Sequence, residues 1–369
     1  MEVLKAVAVR RLTHGDVVLL CVGQPSTPAP GPVLFAAEQA LRGDVLGYTE
    51  AVGTLAFRHA IAHHYRQQYG LKVDPAEIVV TTGSSGGFLL TLMAAFDPGD
   101  LVAITRPGYP AYRNDIMATG CRLLELACGA ATRYQPTVEM LEGLPEKPSG
   151  LVIASPANPT GTIIDAGELA AIARWCAAND VLLISDEIYH GISFSRPTSS
   201  AWESSRESVV LGSLSKYQSM TGWRVGWLLL PEALRRPVEL LQGNLAICAP
   251  AISQAAGTAA FGADARAELD AHVQRYATNR DILLARLPEL GINSFAPPDG
   301  AFYAWCDIGH LTDDSQAWCA ETLAATGVAL TPGIDFDPVD GHRFMRLSFC
   351  GTPDEIGEGI DRLVRYLAF

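Results

Sequence analysis

The sequence predicts an α/β protein, with a mostly parallel central sheet flanked by helices and a smaller α+β domain. Short apolar runs alternate with segments of helical periodicity through the middle of the chain. The pattern changes near residue 285, after which two strand-like runs and a final helix follow. We therefore predict a large domain over residues 35–285 and a small domain formed by residues 1–34 and 286–369.

Six runs of the large domain have the composition of buried parallel strands. They are short and mostly continuously apolar, as expected for strands covered on both faces. Their predicted ranges are 78–82, 101–105, 151–155, 181–185, 208–214 and 227–230.

Helices are predicted between and after these strands. In DAGELAAIARWCAAND, Asp165 is placed as an N-cap and Glu168 as its capping-box partner. An Ala-rich helix is expected over residues 264–287, and a last helix over 353–367. Between them, PDGAFYAWCDI and HRFMRLSFC are typical of antiparallel strands.

Composition and charge exclude several classes of partner. The 369-residue chain has a net charge of −13 and lacks a Lys/Arg-rich block, which argues against nucleic acid and anionic membrane surfaces. Eight scattered cysteines without a C-x-x-C motif indicate reduced thiols rather than a disulfide framework or zinc site. Charges interrupt the N-terminal segment early, and no apolar run reaches membrane-spanning length. We therefore expect a cytoplasmic protein without a metal.

Polar motifs follow several predicted strands, at the edge where open α/β sheets bind ligands. They are RPGYPAY, SPANPTG, DEIYH and SLSKYQSMTGWRVGW. Any one of them could simply be a turn or a helix cap. Their occurrence at successive strand ends predicts a functional site.

The segment TTGSSGGF permits two interpretations. Its G-x-S-x-G pattern fits a nucleophile elbow with Ser85 as the nucleophile of a serine hydrolase, and histidines follow it in the chain. The same turn could instead bind a phosphate with Ser84, Ser85 and backbone N–H groups. The hydrolase interpretation leaves the placement of Lys216, Asp186 and Arg346 unexplained, so the anion site is favoured.

Lys216 is a candidate nucleophile that is compatible with an anion site at the Ser84–Ser85 turn. It is one of four lysines and follows an apolar strand, where a half-buried amine can form a Schiff base. A pyridoxal phosphate site also needs a carboxylate for the ring nitrogen, groups for the phenolic oxygen, an aromatic face and a phosphate cradle. The chain offers candidates in that order: Asp186, Asn158 with Tyr189, Tyr109, and Arg224 with the Ser84–Ser85 turn.

In these motifs the chain resembles the class I/II aminotransferases of fold type I. The resemblance extends over nearly the whole chain, and the motifs follow one another in the same order as in the family. The matching segments are CVGQPSTPAP, LGYTEAVGTLAFRHAI, TTGSSGGF, RPGYPAY, SPANPTG, DEIYH, SLSKYQSMTGWRVGW, PDGAFY, TPGIDF and RLSF. Within the family it looks most like actinobacterial members described as aspartate or valine–pyruvate aminotransferases. The resemblance implies a pyridoxal-phosphate-dependent aminotransferase that moves an amino group from an amino acid to a 2-oxo acid by ping-pong transamination.

The resemblance also implies roles for individual residues. Lys216 would hold the cofactor and move the substrate proton, while Asp186 would pair with the pyridine nitrogen and stay ionised. The remaining cofactor contacts would come from Tyr189 and Asn158 at the phenolic oxygen, Tyr109 on the ring, and Arg224, Ser213, Ser84 and Ser85 at the phosphate. Arg346 would bind the substrate carboxylate, flanked by Gly23 and Asn158. Tyr48 would reach the phosphate of a neighbouring subunit, which implies a homodimer with shared active sites.

The substrate is less closely defined. Aspartate-specific relatives with this phosphate turn carry a lysine where this chain has Ser85, which favours neutral substrates such as valine or alanine, with pyruvate or 2-oxoglutarate as acceptor. An aspartate/glutamate aminotransferase and a β-lyase or other pyridoxal phosphate chemistry on the same fold remain as alternatives.

Overall fold

The protein is described by a computed structural model that covers residues 2–368. Its helices are α1 Glu2–Thr13, α2 Gly31–Gly43, α3 Leu55–Tyr69, α4 Gly83–Ala95, α5 Pro110–Ala118, α6 Val138–Glu142, α7 Ala166–Ala178, α8 Glu232–Leu245, α9 Ala251–Gly257, α10 Ala263–Arg286, α11 Ser315–Thr326 and α12 Pro353–Leu367. Its strands are β1 Val18–Leu19, β2 Ile78–Thr81, β3 Leu101–Arg106, β4 Arg122–Ala127, β5 Gly150–Ala154, β6 Leu182–Asp186, β7 Val209–Ser213, β8 Gly226–Leu229, β9 Tyr303–Asp307, β10 Val328–Ala329, β11 Thr331–Pro332 and β12 Phe344–Ser348.

A seven-stranded sheet in the order β2-β8-β7-β6-β5-β3-β4 forms the centre of the fold. Its pairs are parallel except those that β8 makes with β2 and β7. All six predicted strands are present, each with ends within one residue of the prediction. The sequence did not predict β4, an edge strand whose partly exposed residues break the apolar pattern of the others. The predicted fold class is confirmed.

The helix after β5 shows one correct and one incorrect local prediction. The Asp165 side chain caps α7 by accepting a hydrogen bond from the Gly167 N–H. The predicted capping box is wrong, because the Glu168 carboxylate accepts the Val138 N–H at 2.7 Å instead. Glu168 thus links α7 to α6 rather than capping the N-terminus of its own helix.

The C-terminal part contains the predicted antiparallel strands. There β9 pairs with β12, and β12 pairs with β11. Residues of the N-terminal segment join this part, because β1 pairs with β10. A separate apolar core that includes Leu20, Phe302 and Leu347 holds this part together. The division at residues 35 and 285 stays a prediction.

The described chain has two further general properties. None of its helices combines the length and the apolar run that a membrane crossing requires, within residues 2–368. Its eight cysteines form no disulfide bonds, and all but Cys248 are buried. They therefore contribute to packing.

Candidate active site

A cavity of about 430 Å³ opens at the carboxyl edge of the central sheet. Residues that follow or end five different strands line it: Ser84 after β2, Tyr109 after β3, Asn158 after β5, Asp186 at the end of β6 and Lys216 after β7. Asp186 is in register with Ala154 on one side and Leu211 on the other. The sheet thus brings together side chains that are far apart in sequence, as the strand-end pattern predicted.

Lys216 lies in the wall of this cavity with its amine held by the backbone. Its Nζ donates a hydrogen bond to the Gly23 carbonyl at 2.7 Å and lies 5.5 Å from the centre of the Tyr189 ring. Burial lowers the pKa of the Lys216 amine to about 8. A larger fraction of this amine is therefore neutral near neutral pH than for an exposed lysine, and the neutral form is the nucleophile.

Asp186 is a buried carboxylate that faces the cavity without a cationic partner. It accepts hydrogen bonds from the Tyr112 hydroxyl and from the Ile188 N–H. No Lys, Arg or His within the described chain forms an ion pair with it. Burial raises the pKa of Asp186 to about 6, an effect that these hydrogen bonds and Lys216 oppose. The carboxyl is therefore mostly ionised at neutral pH, and its environment suits a cationic group in the cavity.

Tyr189 and Tyr303 connect the two sides of the cavity. Their hydroxyl oxygens are 2.7 Å apart, and both rings are buried. The Tyr303 ring also lies against the Arg346 guanidinium, 4.4 Å from ring centre to Cζ. Gly23 makes room for this arrangement, because a Cβ there would lie 1.9 Å from the Tyr303 hydroxyl oxygen.

Arg346 is a buried cation positioned from β12. Its Nη1 donates to Asn158 Oδ1 at 2.8 Å, and its Nη2 donates to the Cys21 carbonyl at 2.6 Å. The ring of Phe336 packs on the guanidinium at 4.7 Å. Its Nε is buried and makes no hydrogen bond to any described residue. A buried guanidinium with an unused donor and no carboxylate partner is suited to binding an anionic ligand.

The turn before α4 forms a second cationic region with Arg224. Gly83 has φ +72°, and a Cβ on it would lie 2.3 Å from Arg224 Nη2. Ser84 and Ser85 follow in the first turn of α4 and line the cavity. A guanidinium next to free N–H groups of a helix start is a favourable site for a phosphate.

Two predicted site residues do not lie at this cavity. Tyr48 is 84% exposed, on a loop after α2. Ser213 is buried at the end of β7, where its Oγ accepts the Ser215 N–H at 3.0 Å. Ser215 and Thr221, rather than Ser213, line the wall next to Arg224. The predicted phosphate role of Ser213 stays a prediction.

Two tyrosines of the site were not predicted from the sequence. Tyr112 supplies the hydroxyl that binds Asp186, and Tyr303 connects Tyr189 with Arg346. Both residues lie in motifs that were recognised, RPGYPAY and PDGAFY. A signal for Tyr112 was its position three residues after Tyr109 at a helix start, a spacing that places two side chains on one side of a helix. The two ring centres are 5.5 Å apart, and both residues line the cavity.

The geometry does not support Ser85 as a nucleophile. A serine hydrolase of the Ser–His–Asp type, which the G-x-S-x-G pattern suggested, needs a histidine within hydrogen-bond reach of the serine as general base. The side chains that line this cavity, among the residues the structure describes, include no histidine. Ser85 instead shares the cavity wall with Arg224, which favours anion binding.

Fold and site together define a transferase of fold type I, and comparisons with known proteins agree. The family profile for aminotransferase class I and II matches residues 15–363. A valine–pyruvate aminotransferase from Mycobacterium tuberculosis is 52% identical over 369 residues, covering all of this chain and 95% of the relative. An aspartate aminotransferase from Thermotoga maritima is 30% identical and covers 95% of this chain and 92% of the relative.

A solved structure gives the same result. The crystal structure of an aminotransferase from Mycobacterium tuberculosis superimposes with a TM-score of 0.98 at 51% identity, covering all of this chain and 96% of that chain. The chain therefore belongs to the class I and II aminotransferases and is an aminotransferase. Membership of this family implies pyridoxal phosphate as the cofactor.

Proposed function

We propose that this protein binds pyridoxal 5′-phosphate in the cavity and transfers amino groups between neutral amino acids and 2-oxo acids. The observation that carries the cofactor assignment is the buried Asp186 carboxylate, which has no cationic partner among the described residues. A protonated pyridine nitrogen would supply that partner, and its charge would lower the pKa of Asp186. Arg224 with Ser84 and Ser85 would hold the phosphate, and Tyr109 would cover the ring.

The chain's own groups account for the remaining chemistry. When bound, pyridoxal phosphate supplies an electron-withdrawing ring. The Lys216 amine would hold the cofactor and would move the proton at the substrate Cα. Tyr189 and Asn158 would bind the phenolic oxygen. Arg346 would hold the substrate carboxylate and so fix the orientation of the substrate.

The charges around the cavity support a neutral substrate side chain. Among the described residues that line it, the cationic ones are Lys216, Arg224 and Arg346, and each has another role in the proposed function. The other wall residues include the carboxylates Asp115 and Asp335 and the apolar side chains of Val3 and Leu4 from α1. A second substrate carboxylate would therefore find no further cationic side chain among the described residues of the wall. The name of the 52% identical relative, a valine–pyruvate aminotransferase, supports valine and pyruvate as the pair.

Single-substrate titration tests this proposal. We expect the near-visible absorption of the purified protein loaded with pyridoxal phosphate to disappear on addition of valine or alanine, with one equivalent of 2-oxo acid released. Aspartate should leave the spectrum unchanged at the same concentration. A response to aspartate equal to that of valine would contradict the neutral class. A protein that stays colourless after incubation with the cofactor would contradict the cofactor assignment.

A homodimer is the second part of the proposal. Exposed apolar side chains cluster on and after α2, a feature of interaction surfaces: Leu34, Phe35, Leu41, Val45 and Tyr48. Leu34 also lines a second cavity of about 630 Å³, which borders Arg224 and Thr221. A partner subunit covering this surface would bring its Tyr48 to the phosphate.

We expect light scattering to give twice the mass of one chain, and Val45→Asp to shift the measured mass towards that of one chain. A monomer at micromolar concentration would contradict the shared site.

A further inference from the structure

A separate crevice of about 370 Å³ lies behind the active site and shares no lining residue with it. It is formed by the second half of α3, residues 190–198, residues 217–218, and residues 260–270, which include the start of α10. Two of its lining residues, His190 and Tyr217, directly follow Tyr189 and Lys216 in the chain. Tyr217 packs closely on this wall, since a Cβ on Gly191 would lie 2.6 Å from its ring.

Arg266 is a cationic residue of this crevice to which the proposed function gives no role. Its side chain is half-buried on α10, yet within residues 2–368 its guanidinium makes no hydrogen bond or ion pair. Asp270, one turn further along α10, also lines the crevice. Its carboxylate is held by the Tyr217 hydroxyl, which donates to it at 2.8 Å, and it forms no ion pair with Arg266. By contrast, Arg275, Arg280 and Arg286 on the same helix all have hydrogen-bond partners. A partly desolvated guanidinium with unused donors is favourable for an oxyanion.

Neither histidine of the crevice is an alternative cationic site for such an anion. Burial and the neighbouring Arg266 lower the pKa of His64 to about 4, so its imidazole is neutral and can still donate one N–H. The His64 ring is fixed against Phe261, with ring centres 5.0 Å apart. His190 is fully engaged, because its Nε2 donates to the Ser155 carbonyl at 2.9 Å and its Nδ1 bonds the Tyr69 hydroxyl.

We propose that this crevice is a second ligand site, which binds the carboxylate or phosphate group of a small molecule on Arg266 with His64 beside it. The planar fork of arginine matches either oxyanion in two-point geometry. A volume of about 370 Å³ lies within the range of small-molecule sites. The proposal does not depend on the transamination chemistry, because no residue of the crevice belongs to the active-site cavity.

Calorimetric titration of the cofactor-loaded Arg346→Ala variant tests this site, because that substitution removes the active-site arginine for carboxylates. Inorganic phosphate and acetate are the two probes, titrated separately at low ionic strength. We expect one saturable site for at least one probe, and the tighter-binding probe identifies the oxyanion. Adding Arg266→Gln should weaken binding by about tenfold or more, the usual effect of losing a charged hydrogen-bond donor.

Two further variants serve as controls. Arg266→Lys keeps the charge and should retain part of the affinity, which separates charge loss from misfolding. Arg236→Gln removes an exposed arginine on α8 and should leave the affinity unchanged. Absence of saturable binding for both probes, or equal affinity with and without Arg266→Gln, would overturn the proposal.

Discussion

Replacing Lys216 by alanine is expected to lower transamination turnover by about 10⁴-fold or more while the fold persists. In the proposed function its amine is the nucleophile towards the cofactor and also the group that carries the Cα proton. Loss of general acid–base catalysis alone costs up to about 10⁴-fold. The side chain lies in the cavity wall and makes a single hydrogen bond, to the Gly23 carbonyl, so its removal should leave the contacts of the core in place. Circular dichroism and single-turnover rates with valine measure the two effects separately.

Two variants control this experiment. Lys147→Ala removes an exposed lysine and should leave the rate unchanged. Ser85→Ala removes one wall hydroxyl of the proposed phosphate site and should weaken cofactor binding modestly, with turnover restored at saturating cofactor. Retained transamination by Lys216→Ala would refute the proposed chemistry. A loss with Ser85→Ala as complete as that with Lys216→Ala would refute the role given to the Ser84–Ser85 turn.

Replacing Arg346 by alanine is expected to weaken binding of both substrates by about 2–5 kcal/mol, the usual cost of removing one partner of a buried charge pair. The loss should appear in KM for the amino acid and for the 2-oxo acid, because in the proposed function both present a carboxylate to the same guanidinium. The substitution also leaves Asn158 Oδ1 without the donor it has at 2.8 Å.

Arg343→Ala is the matched control for this variant. Arg343 lies just before the start of β12, but its side chain is half exposed and pairs with Asp307 at 2.7 Å. It should change stability slightly and KM not at all, since exposed ion pairs contribute about 0–1 kcal/mol. An unchanged KM for Arg346→Ala would refute its assignment to the substrate carboxylate.

The strands of the central sheet could be predicted from the sequence because burial on both faces makes them continuously apolar. That property also located the strand ends, and with them Asn158, Asp186 and Lys216 at one cavity. The edge strand β4 was missed because its partly exposed side chains follow no single pattern. The apolar pattern reflects burial, and burial is incomplete in β4, whereas β2 at the opposite edge is buried throughout and could be predicted.

Contacts between side chains from different elements were beyond prediction. Glu168 was assigned to its own helix end, but the Val138 N–H lies within its reach only after α6 and α7 have packed. The same holds for Tyr112 on Asp186 and for Tyr303 between Tyr189 and Arg346. Each depends on distances that only the folded backbone sets. The crevice around Arg266 carried no sequence signal, because its lining residues come from four separate segments.

The register of β6 has a consequence for how the protein matures. Asp186 is paired with Ala154 and Leu211, and successive residues of a strand point to opposite faces. A slip of one residue against either neighbour would turn this carboxylate away from the cavity. Cofactor uptake would then fail, although most of the apolar contacts of the sheet could still form. Loading with pyridoxal phosphate would therefore distinguish chains with the correct register of β6 from chains with a shifted register.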